Sequence, residues 1–178
     1  PIRPLFPEGF LCDTQVVATI LSVDKEADVD VAAAAGASAA LHISDIPFNG
    51  PTAGMRMGRV NGQYVVCPTW DQIDKGETDM EIMIAGTKNA IMMVEGGARE
   101  VPEAEVLEAI VRGHNEIKKV VAAIEELRNK CGKPKREFIP ATIDTSVKAQ
   151  VEKHAKATLE KALRTKEKGA RYDMVDEA

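Results

Sequence analysis

Asp79 and Glu81 alternate with apolar residues in Asp79-Met80-Glu81-Ile82-Met83-Ile84. In a strand, both would therefore project from one face. Two carboxylates so placed can hold a divalent cation together with water; the same pattern also marks the wet face of an antiparallel strand. Asp28 and Asp30 form a second closely spaced acidic pair. The three histidines, His42, His114 and His154, lack metal-ligand spacing. His114 and His154 fall on helical apolar stripes, where a satisfied, semi-buried imidazole is the expectation. Cys12, Cys67 and Cys131 are odd in number and far apart, which fits a reducing compartment and neither a disulfide framework nor a zinc knuckle. The sequence has no GxxxxGK[ST] phosphate loop, no GxGxxG, no HExxH and no GxSxG. These residues alone define no catalytic set and no metal set.

The elements that must position them follow from local pattern. Thr14 to Val23 is rich in β-branched residues and reads as a largely buried strand. Asp24 to Asp28 is a polar turn, and Val29 to Ile43 a helix crowded with alanine, in which Gly36 suggests a close backbone approach. Asn61-Gly62 between Met55–Val60 and Gln63–Val66 is a strong hairpin signal. Arg56 and Arg59 then read as exposed strand residues. Thr69 is a candidate N-cap for a short helical turn. Asp79–Gly86 and Ala90–Glu95 form a second hairpin. Pro102 opens a long helix with its stripe at Val106, Ile110, His114, Ile117, Val121 and Ile124, ending at Cys131-Gly132. Asp144 or Thr145 starts another helix running to about Thr165. The fold class expected is α/β (α+β), a mixed to antiparallel sheet with packed helices followed by a small all-α module.

Composition bounds the function. The 178 residues are 44% hydrophobic, 29% charged and 4% aromatic, an ordinary globular balance in which alanine, valine, isoleucine and methionine fill the core. The longest apolar run, Val31 to Ile43, is too short to span a bilayer. The net charge of −5 hides an asymmetry. Residues 1–131 carry 12 basic and 20 acidic side chains, whereas residues 132–171 carry 11 and 5. The basic stretch Lys148, Lys153, Lys156, Lys161 and Arg164 can contact a polyanion or simply solvate a helix. The proline-rich start, Pro1 to Pro7, reads as a rigid extended connector. With the absence of a closing cap at the other end, it suggests a segment of something longer.

Four stretches taken together, Pro1-Ile2-Arg3-Pro4-Leu5-Phe6-Pro7-Glu8-Gly9-Phe10, Gly36-Ala37-Ser38-Ala39-Ala40-Leu41, Ile46-Pro47-Phe48-Asn49-Gly50-Pro51 and Ile84-Ala85-Gly86-Thr87, resemble bacterial-type polynucleotide phosphorylase in order and spacing. The resemblance implies that residues 1–131 are the back half of a first ribonuclease PH-like domain, 132–145 a linker and 146–178 the start of an all-α domain. It implies a cytoplasmic homotrimeric ring. That ring degrades RNA, not DNA, from the 3′ end with inorganic phosphate, releases nucleoside diphosphates and can run in reverse. The expected cofactor is Mg²⁺, bound mainly outside this segment.

In that family the second domain copy does the chemistry with a serine-rich phosphate loop, an Asp, and a later Asp-x-Lys. At the corresponding places this chain has Asp28-Val29-Asp30, Lys75, and Glu81 with Met83. Acids repel phosphate, and a thioether carries no charge. The expectation is therefore no catalytic residue and no metal ligand in this chain, with a role in scaffold, ring assembly and RNA path. Arg3 is the candidate RNA-binding residue, a guanidinium able to grip a phosphate or, alternatively, to anchor its loop on an acid. The competing function is a stand-alone, non-catalytic RNA-binding or assembly module of the same fold.

Overall fold

The computed structural model describes residues 1–24, 26–140 and 144–178. Lys25, inside the expected polar turn, and residues 141–143, inside the expected linker, lie outside the described residues. The chain divides into two compact units, 1–140 and 141–178.

The first unit is built on a four-stranded antiparallel sheet of order β2-β1-β3-β4: β1 Ala53–Val60, β2 Gln63–Val66, β3 Thr78–Gly86 and β4 Ile91–Ala98. The β1–β2 turn needs two residues with positive φ, and Asn61 (51°) and Gly62 (76°) supply them. Between β2 and β3 the five-residue helix α2, Trp70–Asp74, starts on a capping box. The Thr69 hydroxyl accepts from the Gln72 N–H, and the Gln72 side chain accepts from the Thr69 N–H.

Helix α1, Val29–Ile43, precedes the sheet and α3, Glu103–Cys131, follows it. Period-two alternation in β3 sends Met80, Ile82 and Ile84 into the core, where they meet Met55 and Met57 of β1 and Ala109, Ile117 and Val121 of α3. Burying each of the larger side chains is worth about 1.5–3 kcal/mol. The buried stripe of α3 runs through Ala109, Gly113, Ile117, Val121 and Ile124, while Val106, Ile110 and His114 flank it half-buried. The helix can approach this closely because of Gly113. A Cβ there would sit 2.5 Å from Ile84 Cδ1 and 2.9 Å from Met57 Cγ. Gly36 does not play the expected part, since a Cβ on it would meet nothing within 4 Å.

Two other expectations change. Residues 13–24 form no strand. Their β-branched composition favours an extended chain, but no ladder partner lies beside them among the described residues, and Val17, Ile20, Leu21 and Val23 are exposed. The proline-rich start is not wholly extended, because Arg3–Leu5 closes a single 3₁₀ turn with the Leu5 N–H on the Ile2 carbonyl (3.0 Å). Pro4 is tolerated there because the first residues of a turn need no N–H partner. The turn places Leu5 with Leu41 and Phe48 in a second small core, and all four phenylalanines form a row, Phe48 edge to face on Phe6, Phe6 stacked on Phe10, and Phe10 edge to face with Phe138.

The second unit contains α4, Thr145–Leu163, capped by Asp144, and α5, Lys168–Asp176, capped by Glu167. Arg171 donates to the Thr165 carbonyl (3.1 Å) across the turn between them.

Candidate functional site

β1 carries Arg56 between the N-terminus of α1 and the neighbouring strand β3. The whole guanidinium is used. Nε donates to Asp28 Oδ2 (2.5 Å), Nη2 donates to Asp30 Oδ2 (3.3 Å), and Nη1 is bonded to Glu81 Oε1. Trp70 lies with its ring centroid 4.9 Å from Cζ. Asp28 does two jobs. Its Oδ1 caps α1 by accepting from the N–H groups of Asp30 (3.0 Å) and Val31 (3.4 Å), while Oδ2 holds the arginine. The Arg56 and Asp28 side chains are 11% and 4% exposed, so this is a desolvated pair rather than a surface contact. Burial opposes the arginine's charge, but the hydrogen bond and attraction of Asp28, then of Glu81, outweigh it and hold Arg56 above its ordinary value.

Arg59, three residues further along β1, makes a similar arrangement on a smaller scale. Nε and Nη2 donate to both oxygens of Asp79 (2.6–3.0 Å), and Nη1 pairs with Glu105 in the first turn of α3. The hydrogen bond from Arg59 draws the Asp79 carboxyl below the usual range. Arg56 and Arg59 are thus not exposed strand residues. Asp79 and Glu81 do not converge on a shared ligand either, because each is taken by a different arginine. Among the described residues no group of three or more His, Cys, Asp or Glu is placed to hold a metal ion. Mg²⁺ does not fit these carboxylates as they stand.

Around the Arg56 cluster a cavity of about 250 Å³ is lined by Arg56, Glu81, Met83, Glu95, Gly96 and Gly97. Its charged lining is two carboxylates and one guanidinium already neutralised by acids. An entering phosphate would meet excess negative charge, at ~1 kcal/mol per like pair at 4 Å even in bulk water and more in a cleft. Lys75, at the far end of α2, is exposed and bound to Asp71 (2.5 Å), away from this cavity. The nearby Cys67 thiol is pushed up by burial and lies 3.6 Å from the Met55 sulfur, an inert arrangement.

Arg3 sits apart from all of this. It is exposed, no carboxylate among the described residues pairs with it, and it lines an open cleft of about 400 Å³ with Phe6, Pro7, Phe10, Cys12, Asp13 and Thr14. Asp13 is the acid nearest to hand for the anchoring alternative, lining the same cleft without forming an ion pair with Arg3. His114 is satisfied by the Thr87 carbonyl (2.9 Å). His154 is exposed on α4, because the stripe of α4 buries only Ala162. Lys148, Lys153, Lys156, Lys161 and Arg164 are exposed along the same helix and at its end. Ser38, inside the Gly-Ala-Ser stretch, proves structural: its hydroxyl accepts from the buried Thr52 N–H (2.9 Å), and Thr52 Oγ1 donates to the Gly86 carbonyl (2.8 Å).

An antiparallel sheet packed against α1 before it and the long α3 after it is a ribonuclease PH-like architecture, and residues 50–116 match the model of the 3′ exoribonuclease family, domain 2. Similarity over nearly the whole chain is narrower still. The chain is 48% identical over 177 residues to the polyribonucleotide nucleotidyltransferase of Shouchella clausii (strain KSM-K16), covering 99% of this chain and 25% of that protein. It is 48% identical over 176 residues to that of Geotalea uraniireducens (strain Rf4), with the same shares, and 59% identical over 135 residues to that of Sulfurihydrogenibium azorense (strain DSM 15241 / OCM 825 / Az-Fu1), covering 76% of this chain and 19% of that protein. The chain is similar to polyribonucleotide nucleotidyltransferases over nearly its whole length and spans about a quarter of the length of the curated relatives it matches.

Proposed function

We propose that this chain serves within a polyribonucleotide nucleotidyltransferase, the phosphate-dependent exoribonuclease that converts RNA and phosphate to nucleoside diphosphates, and that it supplies scaffold, ring assembly and part of the RNA path rather than bond breaking. The observation that carries the division of labour is the closure of Arg56 on Asp28, Asp30 and Glu81. Phosphorolysis needs a site that attracts phosphate and neutralises charge developing on the transferred phosphoryl group. Here the one buried cation facing the cavity is consumed, and the lysine the family pattern requires is Met83. On this reading residues 1–131 belong to a ribonuclease PH-like domain and 146–178 begin an all-α domain. The parent is a cytoplasmic homotrimer, its Mg²⁺ is held mainly outside this chain, and Arg3 touches an RNA phosphate. No helix among the described residues is long and apolar enough to cross a membrane.

The test is release of nucleoside diphosphate from poly(A) by the 178-residue chain with phosphate and Mg²⁺. None is expected. Release that requires both additives and disappears when Asp79 and Glu81 are changed to Ala would overturn the assignment.

A further inference from the structure

A second buried cluster, remote from Arg56, joins α1, α3 and residues 133–136. His42 lies in the last turn of α1 and is 3% exposed. Its Nε2 is buried and 3.3 Å from Oε2 of Glu125, close enough to pair when the ring is protonated but outside good hydrogen-bond geometry. Glu125 itself is 49% exposed. On the other side of the ring, Nδ1 is 3.5 Å from Nη1 of Arg128, which also donates to the His42 carbonyl (3.3 Å). Lys135 then covers the helix end. Its Nζ donates to the carbonyls of Leu41 (2.8 Å), His42 (3.1 Å) and Ser44 (2.8 Å). The backbone is stitched down as well, by the Lys133 N–H on the Ile43 carbonyl (2.8 Å) and the Arg136 N–H on the Asp45 carbonyl (2.7 Å), with Arg136 Nη2 3.3 Å from Asp45 Oδ1.

Two cations at a helix C-terminus are well placed, because the last carbonyls are unpaired and carry the negative end of the dipole. A third cation in the same spot is not. We propose that His42 is a proton-sensitive latch for the 133–136 strap: neutral, it lets Arg128 and Lys135 close over the end of α1, and protonated, it drives the strap off. The groups facing the imidazole are Glu125 and Arg128 from α3 and Lys135 from the strap, with Asp45 beside Arg136 at the margin. Among the described residues the half-exposed Glu125 is the sole carboxylate at the ring, and it cannot balance three cations. Burial, then Arg128 and Lys135, outweigh Glu125 and hold His42 below its usual 6.5. The unfolded or undocked segment binds a proton more readily than the closed one. The closed strap is therefore fully stable above about pH 6.5 and loses stability as pH falls below it.

Hydrogen exchange of the 178-residue chain between pH 7.5 and 5, expressed as protection relative to the intrinsic rate at each pH, tests this. Protection of the Lys133 and Arg136 amides is expected to stay level above pH 6.5 and then to fall, by up to about tenfold per pH unit. Ile117, which exchanges only when the core opens, should stay better protected than the strap at every pH. The fall should vanish in His42→Gln. In Glu125→Gln, a half-exposed site that the fold tolerates, it should continue to lower pH and be larger at pH 5. Protection that is flat in the unchanged chain, that falls equally in His42→Gln, or that is unaltered by Glu125→Gln would overturn the latch.

Discussion

Arg56 and Arg3 are the same residue type with opposite fates: Arg56 is held by acids standing where the family resemblance puts the phosphate site, and Arg3 is the candidate RNA contact. Arg56 is desolvated, its fork fully occupied by Asp28, Asp30 and Glu81. Arg3 stands on a one-turn 3₁₀ element with its guanidinium unpaired and open to solvent. The lesson is that a polyanion is met by free charge, not by basic residues as such. A guanidinium that has given up its hydration to buried carboxylates has little left for a phosphate. One that is still hydrated beside an open cleft can exchange water for a phosphate oxygen and release counterions. The acid-rich first 131 residues therefore need not exclude RNA everywhere, since many of their carboxylates are spent internally.

If that contrast is right, removing Arg56 should hurt the fold most. Arg56→Met leaves Asp28 and Glu81 without their partner, and breaking a buried pair from one side costs about 3–5 kcal/mol. Urea unfolding followed by circular dichroism should show that loss with an unchanged slope. A loss below 1 kcal/mol would mean that the cluster is a surface feature and the contrast is false. A second change sharpens the point. Asp28→Asn keeps a good N-cap for α1, because asparagine caps as well as aspartate, while removing the charge. Combined with Arg56→Met, it should cost less than the sum of the two single changes, with a coupling of about 1–3 kcal/mol. Simple additivity would show that Asp28 acts only as a cap.

How much of this was legible in the sequence divides by distance along the chain. The Asn61-Gly62 turn, the Thr69 cap, the bounds of α1 and the extent of α3 are local, written within four or five residues, and the structure has them. The Arg56 cluster is not local, for its acids lie 28, 26 and 25 residues away and meet it only when β1 pairs with β3 and α1 lands on the sheet. Read singly, Arg56 looks like a wet strand residue, and Asp79 with Glu81 like a possible cation pair. The misreading of residues 14–23 has another origin: β-branched composition reports a preference for extended backbone and says nothing about a ladder partner. Gly36 and Gly113 differ for the same kind of reason. Each lies inside a helix, but only the face carrying Gly113 is pressed onto Ile84 and Met57. The free state of Arg3 depends on which acids fail to reach it, and no spacing rule contains that information.

The smallest effect on stability belongs to Arg3, where the contrast with Arg56 is most exposed to test. Changing an exposed, unpaired side chain should move the unfolding free energy by less than about 0.5 kcal/mol. Binding should respond instead. If Arg3 contacts one RNA phosphate, Arg3→Ala weakens poly(A) binding to a similar degree for any sequence and lowers the slope of log affinity against log salt by about 1. Arg56→Met, compared under native conditions where it remains folded, should leave that slope unchanged, because the charge of Arg56 is already taken by Asp28, Asp30 and Glu81. Filter binding from low to physiological salt separates the two. An unaltered slope in Arg3→Ala, or a reduced one in Arg56→Met, would reverse the roles assigned to the two guanidiniums. The RNA path would then have to run past the β1–β3 cavity, with the carboxylates around Arg56 giving way to the incoming phosphate.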